Sequence, residues 1–410
     1  MSLAENVRNH RRRAGLTQEE LAQEAGVSLG VVKKVECGYG NARVESLHAM
    51  ARAMGTTTSA LFASEVPAPV RDEGNAGRLV ELRRALMPPL GLTVSVAEVD
   101  READVDAVRR DIDDAHALYQ ADRYDAVATR LPSILRAAES VVALADDEAA
   151  QKRALTVRAH AFLLTGKYLT QVRQYDAAYF ALSRAIEGAR ATGQTLTTAA
   201  GVVGMTWLLL RQDRFEECEA VATRSAEEVE PRMSTASPGQ VAVWGELCLR
   251  VAAAASRDNR PDVAGEARRM AAVGASALDA EHVDFREHWS SFGPVTAETK
   301  TIEALTLDGD ARAVLRRADD GPVSSNAVRR CGKPTQNNWD RHRLDVARAH
   351  VSLGSHQDAM DELAGVFRTS PQWLRHQSMA HHIMTDLLAT RKRTLTKQMR
   401  EMAAHLEVQG

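Results

Sequence analysis

The sequence is poor in aromatic residues although it is rich in apolar ones. Phe, Trp and Tyr make up 4% of the 410 residues, whereas hydrophobic residues as a whole make up 44%. Ala, Leu, Arg and Glu dominate, and these side chains lose little conformational freedom in a helix. This composition favours stacked helices over sheets, and the length allows two or three domains. We therefore predict an all-α protein.

Cysteine is also scarce, and the four that occur are far apart with no CxxC pair. The spacing supports neither a disulfide framework nor a zinc site and is typical of a reducing cytoplasm. Around His376, His381 and His382 no Cys or carboxylate stands at the spacing of a zinc-ligand set, so we expect no metal and no cofactor. Cys331 lies in the polar segment RRCGKPTQNN and could be exposed and oxidisable.

Long apolar runs are missing as well. The longest, GVVGMTWLLL at 201–210, spans ten residues, about half of what a membrane helix requires. The charged N-terminus has no apolar run behind it, so we expect no signal peptide, no membrane contact and a cytoplasmic location. Glycine-rich phosphate loops, nucleophile elbows and HExxH motifs do not occur, which argues against an enzyme.

Positive charge is concentrated at the start of the chain. The formal net charge is -3, but residues 1–63 contain eight Lys or Arg against six Glu. Any affinity for polyanions is therefore expected in this first segment.

The same segment carries the signals of several short helices. Thr17 followed by Glu20 is a capping-box pattern, and Gly15, Gly26 and Gly38 stand where helices should end. Ser28 is placed to cap a third helix. Apolar positions at helical spacing, which we expect inside, are Val7, Leu21, Val32, Val35, Leu47, Ala51, Met54 and Leu61.

The segments GLTQEELAQEAGVS, VVKKVECG and LHAMARAMG together resemble the lambda-repressor-type (XRE) helix-turn-helix over residues 3–63. The resemblance implies a five-helix bundle whose third helix enters the major groove of duplex DNA. It also implies that Gln18 contacts a phosphate and braces the base-reading side chains, and that Arg11 pairs with Glu36. The residues expected at the DNA are Arg12, Arg13, Thr17, Gln18, Ser28, Leu29, Gly30, Lys33, Lys34 and Arg43.

This recognition helix has few side chains that read bases. Leu29 and Gly30 stand where the family often has polar residues, so bidentate contacts worth about 1–3 kcal/mol each are mostly missing. Leu29 or Val31 can touch a thymine methyl, and Lys33 and Lys34 can reach guanine or phosphate. Two interpretations remain open: specificity from two half-sites plus DNA shape, or a degenerate domain with little sequence preference. The first predicts a homodimer on a pseudo-palindromic operator, with half-sites about 34 Å apart.

Composition changes sharply after the bundle. Residues 64–77, ASEVPAPVRDEGNA, have two prolines and no periodicity, as expected for a linker. We predict a DNA-binding domain at 1–63, a linker with a short helix at 64–100 and a helical array at 101–410.

The array contains a repeated pattern: a helix end, a polar turn, an anchor residue and a small residue three positions later. The anchors recur every 40 to 51 residues. They are Tyr124, Tyr175, Phe215, Pro261, Asp310 and His356, and the small residues are Val127, Ala178, Cys218, Ala264, Ala313 and Ala359. Each unit should be a helical hairpin that stacks on the next.

This pattern resembles the tetratricopeptide (TPR) type of α-solenoid, although the unit exceeds that family's period of about 34 residues. Together with the XRE-like start, the segments FGPVTAETKTIEAL, RHRLDVARAH and DELAGVFRTSPQWLRHQ resemble actinobacterial regulators that join this DNA-binding domain to such repeats. The resemblance implies a dimeric transcription regulator whose array senses a small molecule or peptide. The alternative is a protein-interaction scaffold with a vestigial or non-specific DNA-binding domain.

The segment EHVDFREHWSSFGP at 281–294 gathers aromatic and cationic side chains between two hairpins. It could present them to a ligand on a concave surface, or it could be a structural elbow. The candidate ligand-binding residues are His282, Arg286, His288, Trp289 and Phe292. Four further tryptophans at helical spacing are expected in the core: Trp207, Trp244, Trp339 and Trp373.

Overall fold

The computed structural model of the protein describes residues 3–38, 43–56, 58–61, 73–89, 99–284, 290–390 and 395–408. Nearly all regular structure in these ranges is α-helical, which confirms the predicted fold class. The N-terminal helices are α1 (Leu3–Arg13), α2 (Gln18–Glu24), α3 (Leu29–Glu36), α4 (Val44–Ala53), α5 (Thr58–Leu61) and α6 (Glu73–Leu86).

The longer array follows from residue 105. Its helices are α7 (Val105–Gln120), α8 (Tyr124–Leu144), α9 (Glu148–Gln171), α10 (Tyr175–Ala191), α11 (Thr195–Arg211), α12 (Phe215–Glu228), α13 (Pro238–Arg257), α14 (Pro261–Ala277), α15 (Pro294–Leu307), α16 (Ala311–Arg317), α17 (Ser325–Cys331), α18 (Gln336–Ser352), α19 (His356–Thr369), α20 (Pro371–Arg375), α21 (Ser378–Thr390) and α22 (Lys397–His405). In the part of the chain that the structure describes, no helix combines the length and apolar character needed to cross a bilayer.

Helices α1 to α5 form the predicted bundle around a common apolar core. Every apolar position expected inside is buried, from Val7 in α1 to Leu61 in α5. The capping box at Thr17 and Glu20 is present at the start of α2. Gly15, Gly26 and Gly38 have φ angles of +63 to +74°, the left-handed region in which glycine avoids a steric penalty.

A buried ion pair fixes α3 against α1. The Arg11 guanidinium donates to both carboxylate oxygens of Glu36, Nε to Oε1 at 2.6 Å and Nη2 to Oε2 at 3.1 Å. Burial opposes ionisation of Glu36, but hydrogen bonds from Arg11 and Gln18 outweigh it and lower the pKa of the carboxyl. The pair that the resemblance implied is therefore present, and it sets the orientation of the third helix.

The array consists of helical hairpins at the predicted positions. Five of the six anchors are the first residue of a hairpin's second helix, and Asp310 is the N-cap just before α16. The six small residues three positions later are all buried. They allow the second helix to approach the first closely, as the repeat pattern predicted.

All six hairpin turns have the same backbone design. The residue two positions before each second helix has φ between +57 and +79°. The following amide donates to the carbonyl five residues earlier, at 2.8 to 3.0 Å, which satisfies an otherwise free helix-end group. The left-handed residues are Asp122, Arg173, Asp213, Asn259, Gly309 and Gly354.

The array also closes on itself. The Asp122 carboxylate accepts the backbone amides of Gln372 and Trp373, at 2.7 and 2.6 Å, at the start of α20. Asn337 Nδ2 in α18 donates to the Tyr124 hydroxyl at 3.1 Å. Helices α7 to α10 and α18 to α22 share one apolar core, and Leu82 and Leu86 of α6 join it.

Two short strands interrupt the helical array. β1 (His282–Asp284) and β2 (Ser290–Phe292) pair antiparallel, with His282 opposite Phe292. These strands were not predicted from the sequence. Ser291 and Phe292 are fully buried, so the segment packs against α13.

Three side chains differ from what the sequence suggested. Trp244 and Trp373 are core residues as expected, but Trp207 is only partly buried because it faces a central cavity described below. Trp339 is also only partly buried, with Lys333 Nζ 5.5 Å from its ring centroid. Cys331 is buried rather than exposed because it packs with Val295 and Ile302.

A methyl group added at Gly245 should destabilise the array, because an ideal Cβ there overlaps ring carbons of the buried Phe292. We expect Gly245→Ala to lower the free energy of unfolding by about 1–3 kcal/mol, read from the denaturant midpoint by tryptophan fluorescence. Gly265→Ala in α14 is the control, since its Cβ meets only Arg269 Nη1 at 3.6 Å. Helix propensity predicts a gain of about 0.5–1 kcal/mol for the control. Equal midpoints for the two variants would contradict the packing of Phe292.

Removal of the Arg11 side chain should destabilise the bundle selectively. Arg11→Ala leaves the Glu36 carboxylate buried without its main partner, at a cost of about 3 kcal/mol. We expect hydrogen exchange to become faster than in the wild type in residues 3–61 and to stay unchanged in the array. Arg12→Ala, at an exposed position of the same helix, is the control. Since the pKa of Glu36 is lowered in the fold, the pair stabilises the wild-type bundle above the ordinary carboxyl pKa. That stabilisation is lost as the pH falls through the lowered pKa. If wild type and Arg11→Ala differed in exchange as much in acid as at neutral pH, the ion pair would not be the source of the difference.

Candidate functional site

Helix α3 presents one apolar face to the bundle and one polar face to solvent. Val32 and Val35 are buried, whereas Leu29 and Val31 are partly exposed. Neither the Lys33 nor the Lys34 side chain makes a hydrogen bond or ion pair with any residue that the structure describes. The exposed positions of this helix and its N-cap are Ser28, Gly30, Lys33 and Lys34.

The start of α2 is fixed beside this face. Thr17 Oγ1 accepts the Glu20 amide at 3.1 Å, and Glu20 Oε2 accepts the Thr17 amide at 2.7 Å. Gln18 Nε2 donates to Glu36 Oε2 at 2.7 Å, so its side chain braces the end of α3. The expected bracing role of Gln18 therefore has a partner inside the protein, while its expected phosphate contact stays a prediction.

Two further cations widen the basic surface. Arg12 at the end of α1 and Arg43 at the start of α4 are exposed. The side chain of Arg13 lies outside the described residues, although its backbone belongs to α1. Exposed cations around a helix of this kind are suited to contact with phosphates.

The bundle contacts the array through α4 and α5. Arg52 forms an ion pair with Asp258 and lies 3.4 Å from a carboxylate oxygen of Glu216. The Thr58 amide donates to Asp213 Oδ2 at 2.9 Å. These contacts join the bundle to the turns of the third and fourth hairpins.

The imidazole of His48 completes the contact. It stacks edge-on against Phe215, with ring centroids 5.0 Å apart, and its Nδ1 bonds to the Thr58 hydroxyl. Burial, reinforced by the Arg257 charge, lowers the pKa of His48 to about 3. The ring is therefore neutral. Although His48 Nδ1 lies 4.0 Å from Asp213 Oδ1, the two groups do not form an ion pair. None of the residues expected at the DNA takes part in the described contacts between the bundle and the array.

The predicted ligand segment is only partly described. Arg286, His288 and Trp289 lie outside the described residues. His282 lies in β1 beside Gly239, and Phe292 is a core residue whose ring packs on Gly245. Phe292 is therefore placed to support α13 rather than to face solvent.

A cavity of about 320 Å³ lies among the first helices of the hairpins. Its wall includes residues from α7, α9, α11, α13, α15 and α18. Six cationic side chains line it, against the carboxylates of Asp213 and Glu303. The six are Lys167, Arg211, Arg250, Arg257, Lys300 and Arg341.

Sequence reasoning missed this cationic set. Each member lies on the first helix of a hairpin, often inside an apolar run such as LLTGKYL or WLLLR. The available signal was a cationic residue within the apolar sequence of the first helix in successive hairpins. The signal has meaning only once the array is known to close around a centre.

The comparisons with known proteins concern the bundle alone. Residues 7–61 match the helix-turn-helix family model HTH_3, a family of DNA-binding regulators. The comparisons with curated proteins and with solved structures give no match. The N-terminal bundle is thus a helix-turn-helix of XRE type.

Proposed function

We propose that the protein is a sequence-specific DNA-binding transcription regulator whose helical array senses a small molecule or peptide. The proposal depends on the exposed face of α3, a helix of the bundle that matches the helix-turn-helix family. The side chains of Lys33 and Lys34 on this face have no hydrogen-bond or ion-pair partner among the residues that the structure describes. Direct base reading by Leu29 and Val31 is limited to apolar contact, so DNA shape and phosphate contacts contribute much of the specificity.

The regulator acts as a homodimer in this proposal. One bundle with few base contacts binds weakly, whereas two bundles on half-sites one helical turn apart combine their affinities. The array is the part of the chain that holds the two bundles at that spacing.

Ligand sensing acts through the contact between bundle and array. Asp213 and Arg257 line the central cavity, and both also line the narrow space between the bundle and the array. A ligand that moves either residue changes the contacts of His48 and Thr58. Two arrangements of the bundle on the array are then possible, with and without these contacts. The ligand alters DNA affinity to the extent that its own affinity differs between them.

Replacing Lys33 and Lys34 together by Ala should weaken binding to the chain's own upstream DNA. If both lysines touch phosphate, the slope of log affinity against log salt falls by about two. The control is Lys152→Ala with Arg153→Ala, which removes the same charge from exposed positions on α9. Gel shifts over a salt series with competitor DNA measure both variants.

An unchanged salt slope would remove the two lysines from the interface. Absence of saturable binding to any duplex by the wild-type chain, together with co-purification of a protein partner, would favour the scaffold function instead.

A further inference from the structure

The charges around the central cavity are unbalanced. Lys300 Nζ and Arg257 Nη2 share a single carboxylate, that of Glu303, at 2.7 and 2.9 Å. Arg250 lies 4.0 Å from Glu246, and its buried Nε has no hydrogen-bond partner among the described residues. More cationic groups face the cavity than local acids neutralise.

Arg211 and Arg341 are the least compensated of these groups. Arg211 Nη2 is 3.4 Å from the Gln377 amide oxygen, a long hydrogen bond to a neutral group. The Arg341 side chain makes no hydrogen bond or ion pair with the residues that the structure describes. Burial, with the neighbouring Arg341 charge, lowers the pKa of Arg211 to about 9. Burial likewise lowers the pKa of Lys167 to about 8.

The nearby acid Asp345 does not correct the imbalance. Burial, together with the Glu303 charge, raises the pKa of its carboxyl well above the ordinary value, which favours the neutral form. Its Oδ1 is buried without a hydrogen-bond partner among the described residues. The positive charge of the cavity therefore persists at neutral pH.

Trp207 adds an aromatic surface between two of the cations. Its ring centroid is 5.3 Å from the Arg211 guanidinium carbon and 6.0 Å from that of Arg341. These cation–π contacts hold both guanidinium groups at the cavity wall while leaving most of their donors unused. Asn337 and Asn338 line the same wall and add amide groups.

We propose that the central cavity binds a small organic anion with at least two negative charges and a non-polar part that lies against Trp207. The inference deepens the proposed function by naming the ligand class of the sensing array. A volume of about 320 Å³ is at the lower end of the range for small-molecule sites. A long peptide is therefore excluded in favour of a compact molecule bearing phosphate or carboxylate groups.

Binding of pyrophosphate and of citrate to the full-length chain tests this proposal. Each is titrated by calorimetry and in thermal melts without DNA, at an ionic strength held constant with sodium chloride. We expect saturable binding and a rise in melting temperature with probe concentration. A stronger response to pyrophosphate indicates a phosphorylated ligand, and a stronger response to citrate indicates a polycarboxylate.

The variant Arg341→Gln should weaken probe binding at least tenfold without lowering the melting temperature of the free protein, because it removes a poorly compensated cation. Arg211→Gln is a second variant with the same expectation. Arg368→Gln on the exposed face of α19 is the matched control and should bind like the wild type.

The proposal is overturned if neither probe binds saturably, or if both cavity variants bind the probes as the wild type does. Because the assay contains no DNA, loss of the proposed DNA-binding function would not affect it. Equally, a failed probe titration would leave the gel-shift result for the bundle standing.

Discussion

The carboxylate of Asp122 joins the two ends of the helical array. Its oxygens accept the amides of Gln372 and Trp373 across about 250 residues of sequence. Asp125 adds hydrogen bonds between the same two segments: its amide donates to Gln372 Oε1 at 3.0 Å, and Gln372 Nε2 donates to Asp125 Oδ2 at 3.2 Å. The inner helices of the closed array surround a cavity whose polar side chains are partly shielded from water. The electrostatic character of the centre follows from that closure.

Because the array is closed, the cations that line its cavity lose part of their solvation, which costs free energy of folding. A charge removed from water loses solvation that only a paired carboxylate, an aromatic face or a ligand can replace. Glu303 supplies part of this compensation for Lys300 and Arg257, and Trp207 supplies part for Arg211 and Arg341. Arg211 and Arg341 form no ion pair with the described residues, so a neutral side chain in place of either would remove a desolvation cost without leaving an acid unpaired. Their presence is better explained by a requirement for positive charge at this place than by stability.

Local signals in the sequence predicted most of the architecture. The capping box at Thr17 and the small residues such as Ala178 are short-range features, and the structure contains each where it was expected. Long-range features could not be read in this way. Lys167 and Arg341 are far apart in the chain and meet only because the array closes, and Trp207 resembles any buried tryptophan in its apolar run. The strand pair at 282–292 depends on packing against α13, which no local pattern encodes.

The exposed cations and the contact with the array lie on different helices of the bundle. The exposed side of α3 carries Lys33 and Lys34, whereas α4 and α5 meet the array through Arg52 and Thr58. A common apolar core connects these helices, and the Arg11–Glu36 pair holds α3 against α1. Since His48 is neutral there, the contact depends on shape and hydrogen bonding more than on protonation. It is thus suited to respond to movement of the Asp213 turn, which borders the cavity on its other side.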